Sequence, residues 1–537
     1  MNKPPNDPVL PAFPVVGGGG PVHKITAVGT SVVAFVGWAA KGPTTEAVPV
    51  GSWVDFQAQF GGLSASNGVP NYLGYAVLQY FENGGQQALV VRIVWDGSLA
   101  WTGSPAPAQL ASTASATAVG GAFTLYASSP GSWGNSLSVK VIMEPSPSVR
   151  FAVQVLDGNS GLLENFASLS VSPADPRYVV TVVDGESSNV TFANPALPPN
   201  SPIGAPSQAA ATPAAGVPLA GGLDGPVLVP GDANFETALG AANAARSNKD
   251  FGVSLLNAAN GFNLLCVPGE TDEATIRRLQ KYCVGKRAFY IVDCPQSVTR
   301  DDLYTGKLGT SPGGSTSGSL TGRDSKNSAY YYPWVLALDP LAGDSPGLFP
   351  PCGFVAGIYA ATDSQKGVWT SPAGIGASLA GAAGLHEDLT DVETADLSAA
   401  AINCLRNFAA YGNVVWGART LAGGELNSSQ WRYVSVRRLA LLIEASIYEG
   451  IQWVVFEPNN PALWAELTAS VGAFMQELFQ LGSLQGTSPQ EAYFVTCDSE
   501  NNTPSSIDLG IVNITIGFAP VYPAEFVIIQ ISQPAGP

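Results

Sequence analysis

The sequence predicts an α/β core, a mixed sheet flanked by helices, with an inserted β-rich domain and extended terminal arms. Three observations lead there. Buried-strand and amphipathic-helix patterns alternate over residues 25–96 and again from 226 onward, the rhythm of a strand–helix–strand protein. Between them, residues 97–225 change to short alternating runs in a background of Ala, Ser, Thr, Pro and Gly. Each end carries a stretch that cannot build a core alone. The chain divides accordingly into an arm (1–24), a core (25–96 with 226–425), the inserted outer domain (97–225), a C-terminal α/β inner domain (426–519) and a closing arm strand (520–537).

Residues 1–24 combine prolines with the run Gly17 to Gly20 and read as a flexible linker. Residues 31–37 are apolar, β-branched and closed by Gly37, a buried strand. Leu73, Val77 and Tyr80 share one face of a helix over 71–83 stopped by Gly84-Gly85, and residues 88–94 form the next strand. In the insertion, 138–142 and 178–183 read as strands, and the Pro/Ala/Gly-rich 194–222 as the return loop. Strands are expected at 262–267 and 288–293, with Thr271 capping a helix that turns Ile276, Leu279 and Cys283 inward. The Gly/Ser/Thr-rich 306–323 reads as a loop, 395–408 as a helix and 414–416 as a strand. Helical spacing predicts a helix over 433–448, then a strand at 452–456. Asn460-Pro461 starts a helix carrying Trp464, Leu467, Val471, Phe474, Leu478 and Leu481, ended by Gly482. Strands at 492–497, 511–518 and 525–531 close the chain.

Composition narrows the function. Of 537 residues 12% are charged, about half the globular average of about 25%, so much of the surface is available to face other protein. The 24 Lys+Arg against 41 Asp+Glu, net −17, exclude a nucleic-acid binder, which needs cations to neutralise phosphates. The six cysteines form no C-x-x-C pair and sit mostly in apolar stretches, as reduced core thiols do, which suits synthesis in the cytoplasm. Met1-Asn2-Lys3-Pro4-Pro5 lacks the apolar stretch of a secretory signal, and no apolar run reaches membrane-spanning length, so direct membrane insertion is not expected.

Catalytic chemistry has little to stand on, and no catalytic, cofactor-binding or metal residue is assigned. The two histidines are His23, in the arm, and His386; the string Gly309-Thr310-Ser311-Pro312-Gly313 falls inside the Gly/Ser/Thr-rich loop 306–323 and not between a strand and a helix, as a nucleophile elbow requires. Gly17 to Gly20 lacks the Gly-Lys-Ser/Thr of a phosphate loop. Carboxylate pairs such as Glu387/Asp388 and Asp391/Glu393 read as helix starts or surface charge.

Several ordered blocks resemble the contractile tail sheath family of contractile phages and phage-tail-like injection particles. They are Val28-Gly29-Thr30-Ser31-Val32-Val33-Ala34-Phe35-Val36-Gly37 with Phe81-Glu82-Asn83-Gly84-Gly85; Val355-Ala356-Gly357-Ile358-Tyr359; Val415-Trp416-Gly417-Ala418-Arg419-Thr420-Leu421; Val434-Ser435-Val436-Arg437-Arg438-Leu439; Gln452-Trp453-Val454-Val455-Phe456-Glu457-Pro458-Asn459; and Pro520-Val521-Tyr522-Pro523-Ala524-Glu525-Phe526-Val527. The resemblance spans residues 25–95 and 225–531; 97–225 lies outside it, as the outer part of a sheath does, and the arm differs from the family's usual opening.

The resemblance implies a structural protein that polymerises as a helical homo-oligomer around an inner tube in an extended, metastable state. It contracts to drive that tube through a target membrane, with baseplate and cap proteins as further partners and no nucleotide or other cofactor. Assembly in the bacterial cytoplasm follows, with the particle released or membrane-anchored and suited to toxin delivery. Neighbours are stitched by β-strand exchange through the arms, which assigns inter-subunit contacts to Val15, Val16, Val22 and Ile25 and to Phe526, Val527, Ile528 and Ile529. Arg437, Arg438, Glu466 and Glu477 are the candidate tube-facing residues, with intramolecular pairing as the rival for the arginines. Other tail components, or a subtilisin-shaped hydrolase, are the alternatives to a sheath.

Overall fold

A computed structural model describes residues 23–525 apart from Asn67, 96–111, 120–122, 146–148, 159–160, 193–203, 207–215, 241–250, Asn260, 305–319 and 426–428. Val15, Val16, Val22, Phe526, Val527, Ile528 and Ile529 lie outside the described residues, as does most of the 306–323 loop. The chain forms two compact units: a larger one of 29–441 with the segment from Tyr522, and a smaller one of 442–521 with the segment up to Val28.

The larger unit is organised by an eight-stranded sheet. Its strands are β1 (Val33–Gly37), β2 (Val48–Val50), β3 (Ala88–Arg92), β4 (Leu264–Cys266), β5 (Phe289–Asp293), β6 (Ser328–Tyr332), β7 (Ile402–Phe408) and β8 (Gly412–Val415), in the order β2-β3-β1-β4-β5-β6-β7-β8. The six inner strands are parallel, with Phe35 opposite Val90 and Cys266 on its flanks. β2 and β8 close the edges antiparallel. Parallel strands covered on both faces read as unbroken apolar runs, which is why residues 33–37 and 289–292 show no polar alternation. On one face Val33, Phe35, Val90 and Ile291 pack with helices α1 (Tyr72–Glu82) and α3 (Cys352–Lys366). On the other, Ala34, Val36, Tyr290 and Val292 pack with α2 (Glu273–Lys286) and with Leu397 of α4 (Asp391–Ala399). Gly353 and Gly357, one turn apart on α3, let α1 approach: a Cβ at 353 would lie 2.5 Å from the Ala76 carbonyl oxygen, and one at 357 would lie 2.4 Å from Asn83 Cβ.

Several local expectations give way to tertiary contacts. Asp272, one residue after Thr271, caps α2 by accepting from Thr275 N at 2.7 Å. The helix expected at 395–408 divides. A capping box between Thr390 and Glu393 starts α4 early, Ala401 turns at φ 65°, and Ile402 onward pairs with Tyr330 as β7, because the sheet's next parallel position outweighs the helical preference of the alanines. Residues 178–183 are not a strand: Val179–Glu186 is a helix burying Val179, Val182 and Val183 at helical spacing. It packs on antiparallel strands Leu137–Met143, Phe151–Asp157 and Gly161–Leu169, which share a core of their own including Val139, Val153, Val155 and Phe166.

Arg92, the last residue of β3, is buried beside this region. Its guanidinium donates to the carbonyls of Ala39 (2.7 Å), Gly42 (2.7 Å), Ala40 (3.1 Å) and Pro130 (2.8 Å). Burial lowers its pKa to about 9.

The smaller unit contains the second half of α5 (Val434–Gly450), α6 (Pro461–Gln480) and a hairpin of Tyr493–Thr496 and Thr515–Phe518. Asn460 caps α6 from two backbone N–H groups, and Trp464, Leu467, Val471, Phe474 and Leu478 are its buried face, whereas Leu481 is exposed. The strand expected at 452–456 is a short 3-10 turn, Gln452–Val454, followed by Phe456 at φ 75°. The 511–518 strand is confined to Thr515–Phe518.

Glu270 is fully buried at the turn after β4. One carboxylate oxygen accepts from Asp272 N at 2.7 Å; the other has no hydrogen-bond partner. Burial raises its pKa from 4.5 to about 8, and that of buried Asp293 from 3.8 to about 6. A carboxyl group whose folded pKa is raised contributes stability fully present below its unfolded pKa and lost as pH rises through the folded value. For Glu270 that window is pH 4.5 to about 8. Glu270→Gln should therefore leave the melting temperature unchanged near pH 4.5 and raise it by about 2–4 °C at pH 9; equal melting temperatures at both pH values would contradict the assignment.

Candidate functional site

The usual place for a ligand in such a sheet is the crevice at the carboxyl ends of the strands where the strand order reverses, here between β1 and β4. Trp38, Tyr72, Pro70, Phe235, Pro230 and Pro268 close it to about 20 Å³. His23 stacks on Trp453 at 3.9 Å in the smaller unit, and in the larger the His386 N–H donates to the Trp334 carbonyl. Among the described residues no group of three or more His, Cys, Asp or Glu could hold a metal ion. All six cysteines are free and buried. No helix among the described residues is long and apolar enough to cross a membrane.

Charged side chains in the interior give the molecule its distinctive chemistry. Arg437 and Arg438, read from sequence as tube-facing cations, are instead 3% and 4% exposed. Arg438 grips Asp363 of α3 with both Nη atoms, at 2.8 and 2.6 Å, donates to the Thr30 carbonyl at 2.8 Å, and lies 4.9 Å from the Tyr359 ring. Arg437 donates to Asn327 Oδ1 at 2.8 Å and lies 4.8 Å from the Trp431 ring. Residues 434–443 of α5 are all buried, so both arginines lie in the interior, where desolvation is offset by fixed acceptors and an ion pair. Ile25, expected in an exchanged arm, is buried in its own chain, where a Cβ at Gly450 would come within 2.8 Å of it.

A further buried arginine joins two sequence blocks that spacing alone leaves unconnected. Arg419 is 2% exposed. Its Nε and Nη2 donate to Glu525 Oε1 and Oε2 at 2.6 and 2.7 Å, and its Nη1 donates to the Ser398 carbonyl at 2.8 Å. The Arg419 backbone is held in turn by Asn403, which accepts from its N–H at 2.7 Å and donates to its carbonyl at 2.8 Å. Tyr433 donates its hydroxyl to Glu525 Oε2 at 3.2 Å, and burial, then the Glu525 charge, raises the pKa of that hydroxyl. Glu525 is the last described residue, immediately before Phe526-Val527-Ile528-Ile529, so the bidentate clasp holds the root of the C-terminal segment. The pairing was missed from sequence; a single Arg in Trp416-Gly417-Ala418-Arg419 and a single Glu before an apolar run were the available signals.

Charge in the 442–521 stretch of the smaller unit is one-sided. Residues 442–521 hold Glu444, Glu449, Glu457, Glu466, Glu477, Glu491, Asp498, Glu500 and Asp508, and no Lys or Arg. On α6, Glu477 is exposed and Glu466 half-buried. Phe456 stands fully exposed beside exposed Val455, and Asn459 links this stretch to Ile511, also exposed, through a 3.1 Å bond to its carbonyl.

Glu525 is partly exposed and Glu425 lies 3.8 Å from Arg419 Nη2, so removing the Glu525 charge costs less than the about 3–5 kcal/mol of a fully buried pair, but it takes away the two short charge-assisted bonds that hold residue 525. Glu525→Gln should therefore loosen the root of the C-terminal segment. Limited proteolysis followed by mass spectrometry should show cleavage near 520–530 accelerated by at least about tenfold, with Glu500→Gln as an unaffected control. Equal rates in all three proteins would rule out the clasp.

Comparison with known proteins fits this arrangement. The family model for the phage tail sheath protein central domain matches residues 244–421, and that for the phage tail sheath C-terminal domain matches 427–533; Arg419 lies in the first and Glu525 in the second. A tail sheath protein of Vibrio phage KVP40 is 27% identical over 198 residues, covering 37% of this chain and 26% of its own length. A putative prophage major tail sheath protein of Pseudomonas aeruginosa is 25% identical over 282 residues, covering 51% of this chain and 66% of its own. The chain thus spans about a quarter of the first relative's length and about two thirds of the second's. The fold is shared along nearly the whole chain with the sheath of an extracellular contractile injection system in its contracted state, at 20% identity, TM-score 0.55, and coverage of 99% of this chain and 98% of that one. Two sheath family models together take in more than half of the sequence, and the protein belongs to the contractile tail sheath family.

Proposed function

We propose that copies of this protein polymerise around an inner tube as a contractile sheath, metastable when extended, whose contraction drives the tube through a target membrane. The family match over the central and C-terminal domains carries this reading. Repetition of one head-to-tail contact produces open helical growth. Packed interfaces switch between discrete arrangements, so a small free-energy difference per subunit, multiplied along the polymer, powers the stroke without a nucleotide.

Stitching falls to the terminal segments. In this reading Phe526, Val527, Ile528 and Ile529 leave the Arg419–Glu525 clasp and add as a strand to a neighbour, with Val15, Val16 and Val22 doing the same from the other end. The hairpin Tyr493–Thr496/Thr515–Phe518 is the natural acceptor, since a two-stranded ribbon is marginal alone and gains from a further strand. Residues 97–225 form an inserted domain on the outside of the polymer. The smaller unit faces the tube, with Glu466 and Glu477 on the contacting side; its surplus of carboxylates calls for a tube surface bearing cations. Baseplate and cap proteins close the two ends, and assembly takes place in the cytoplasm.

Electron microscopy of the co-expressed particle genes should show sheathed rods in long-thin and short-wide forms. Deletion of residues 526–537 should leave the subunit folded and the rods bare. Absence of sheathed rods from the intact protein would overturn the sheath reading, and normal contraction of the truncated one would overturn strand exchange alone. Glu466→Lys with Glu477→Lys should cut the fraction of tubes carrying extended sheath by about tenfold without shifting the melting temperature; full decoration would remove these residues from the tube contact.

A further inference from the structure

A groove of about 520 Å³ lies beside the clasp, bounded by α4, by the segment after β8, and by Pro523, Ala524 and Glu525. Its lining is mainly apolar and carries two aromatic side chains, Trp416 and Tyr433. Trp416 is 37% exposed and leans on Phe408 at a centroid distance of 4.6 Å. Arg406 forms part of the wall. It is 8% exposed, its Nη1 donates to Asp391 Oδ1 at 2.5 Å, and its Nε is buried without a hydrogen-bond partner. The volume falls in the range of sites that bind ligands, and aromatic rings beside hydrogen-bond donors suit an extended peptide with free carbonyls.

The sequence contains such a peptide. Pro5, Pro8, Pro11 and Pro14 recur every third residue. Polyproline II has three residues per turn and no internal hydrogen bonds, so this spacing sets the rings along one edge and leaves the carbonyls unpaired. The same prolines cannot donate to a β-ladder, so this stretch is unsuited to the strand addition assigned to Val15, Val16 and Val22. A different receptor is required.

We propose that residues 4–14 of a second copy dock in polyproline II form in the groove formed by Trp416, Tyr433, Arg406 and Pro523. Prolines seat against the indole and phenol rings, and the intervening carbonyls accept from donors on the groove wall. Residues 5–14 in this form span about 31 Å, and Gly17 to Gly20 provide the swivel between this anchor and the adjoining strand. Placement on a second copy rests on the self-assembly proposed above. The groove is bounded by the residue from which the C-terminal segment departs, so one locus both sends a segment to a neighbour and receives one from a neighbour.

The test uses the full chain. Isotopically heavy protein with a photo-cross-linking residue at position 13 is mixed with light protein lacking it, irradiated and mapped by mass spectrometry, with sheathed rods scored in the same sample. Heavy-to-light links into 406–433 or 523–525 are expected. Trp416→Ala in the light copy, with its melting temperature checked, should lower their yield by about tenfold or more. So should Pro8→Ala with Pro11→Ala in the heavy copy, which alters no residue of the groove. Links confined to 493–518, links within one copy only, or yields indifferent to both variants would overturn the docking. Rods without groove links would leave the sheath function standing and this inference rejected.

Discussion

A buried guanidinium must find acceptors for its N–H groups, and the only rigid acceptors in a protein interior belong to other segments. That constraint organises this molecule. The chain has 24 Lys and Arg in all, yet Arg92, Arg419, Arg437 and Arg438 are each almost wholly buried. Each joins segments remote in sequence: Arg92 reaches residues 39–42 and 130, Arg419 reaches 398 and 525, Arg437 reaches 327, and Arg438 reaches 30 and 363. The eight-stranded sheet supplies the apolar platform, and the arginines act as rivets that fix loops and segment roots to it.

In the polymer proposed above, subunits would shift against one another without separating, and there the placement of such rivets matters. Contacts meant to break should be shallow, and those meant to persist should be desolvated and multidentate. The Arg419–Glu525 clasp has the second character on its arginine side: the guanidinium is buried, the pairing is bidentate, and Asn403, Ser398 and Tyr433 support it. The exposed Val455 and Phe456, and the charged residues of 442–521, which are all acidic, are shallow by comparison.

The acidic groups inside the larger unit work in the opposite sense. Glu270 and Asp293 sit near the carboxyl ends of β4 and β5, where an enzyme of similar topology would hold substrate. Here Asp293 accepts from the backbone of Gly269 and Cys352 at 2.9 and 2.8 Å, tying two turns together, and the neighbouring crevice is filled by aromatic and proline side chains.

The sequence by itself determined the buried strands of the core, because strands covered on both faces leave continuous apolar runs such as 33–37 and 289–292. It also determined α1, whose apolar spacing and Gly84-Gly85 stop are local, α6, whose Asn460 cap and spacing are local, and membership of the family through the order of its blocks. It did not determine whether 178–183 or 402–408 would be strand or helix, since β-branched and alanine-rich stretches follow whichever partner packs against them. Nor did it determine the fate of the charges. Arg437 and Arg438 looked like surface cations because adjacent arginines usually are, and only the fold brought Asp363 and Asn327 to meet them. The Arg419–Glu525 clasp joins residues more than a hundred positions apart. Local pattern carries no information about such a pairing, because it exists only once the sheet has closed around it.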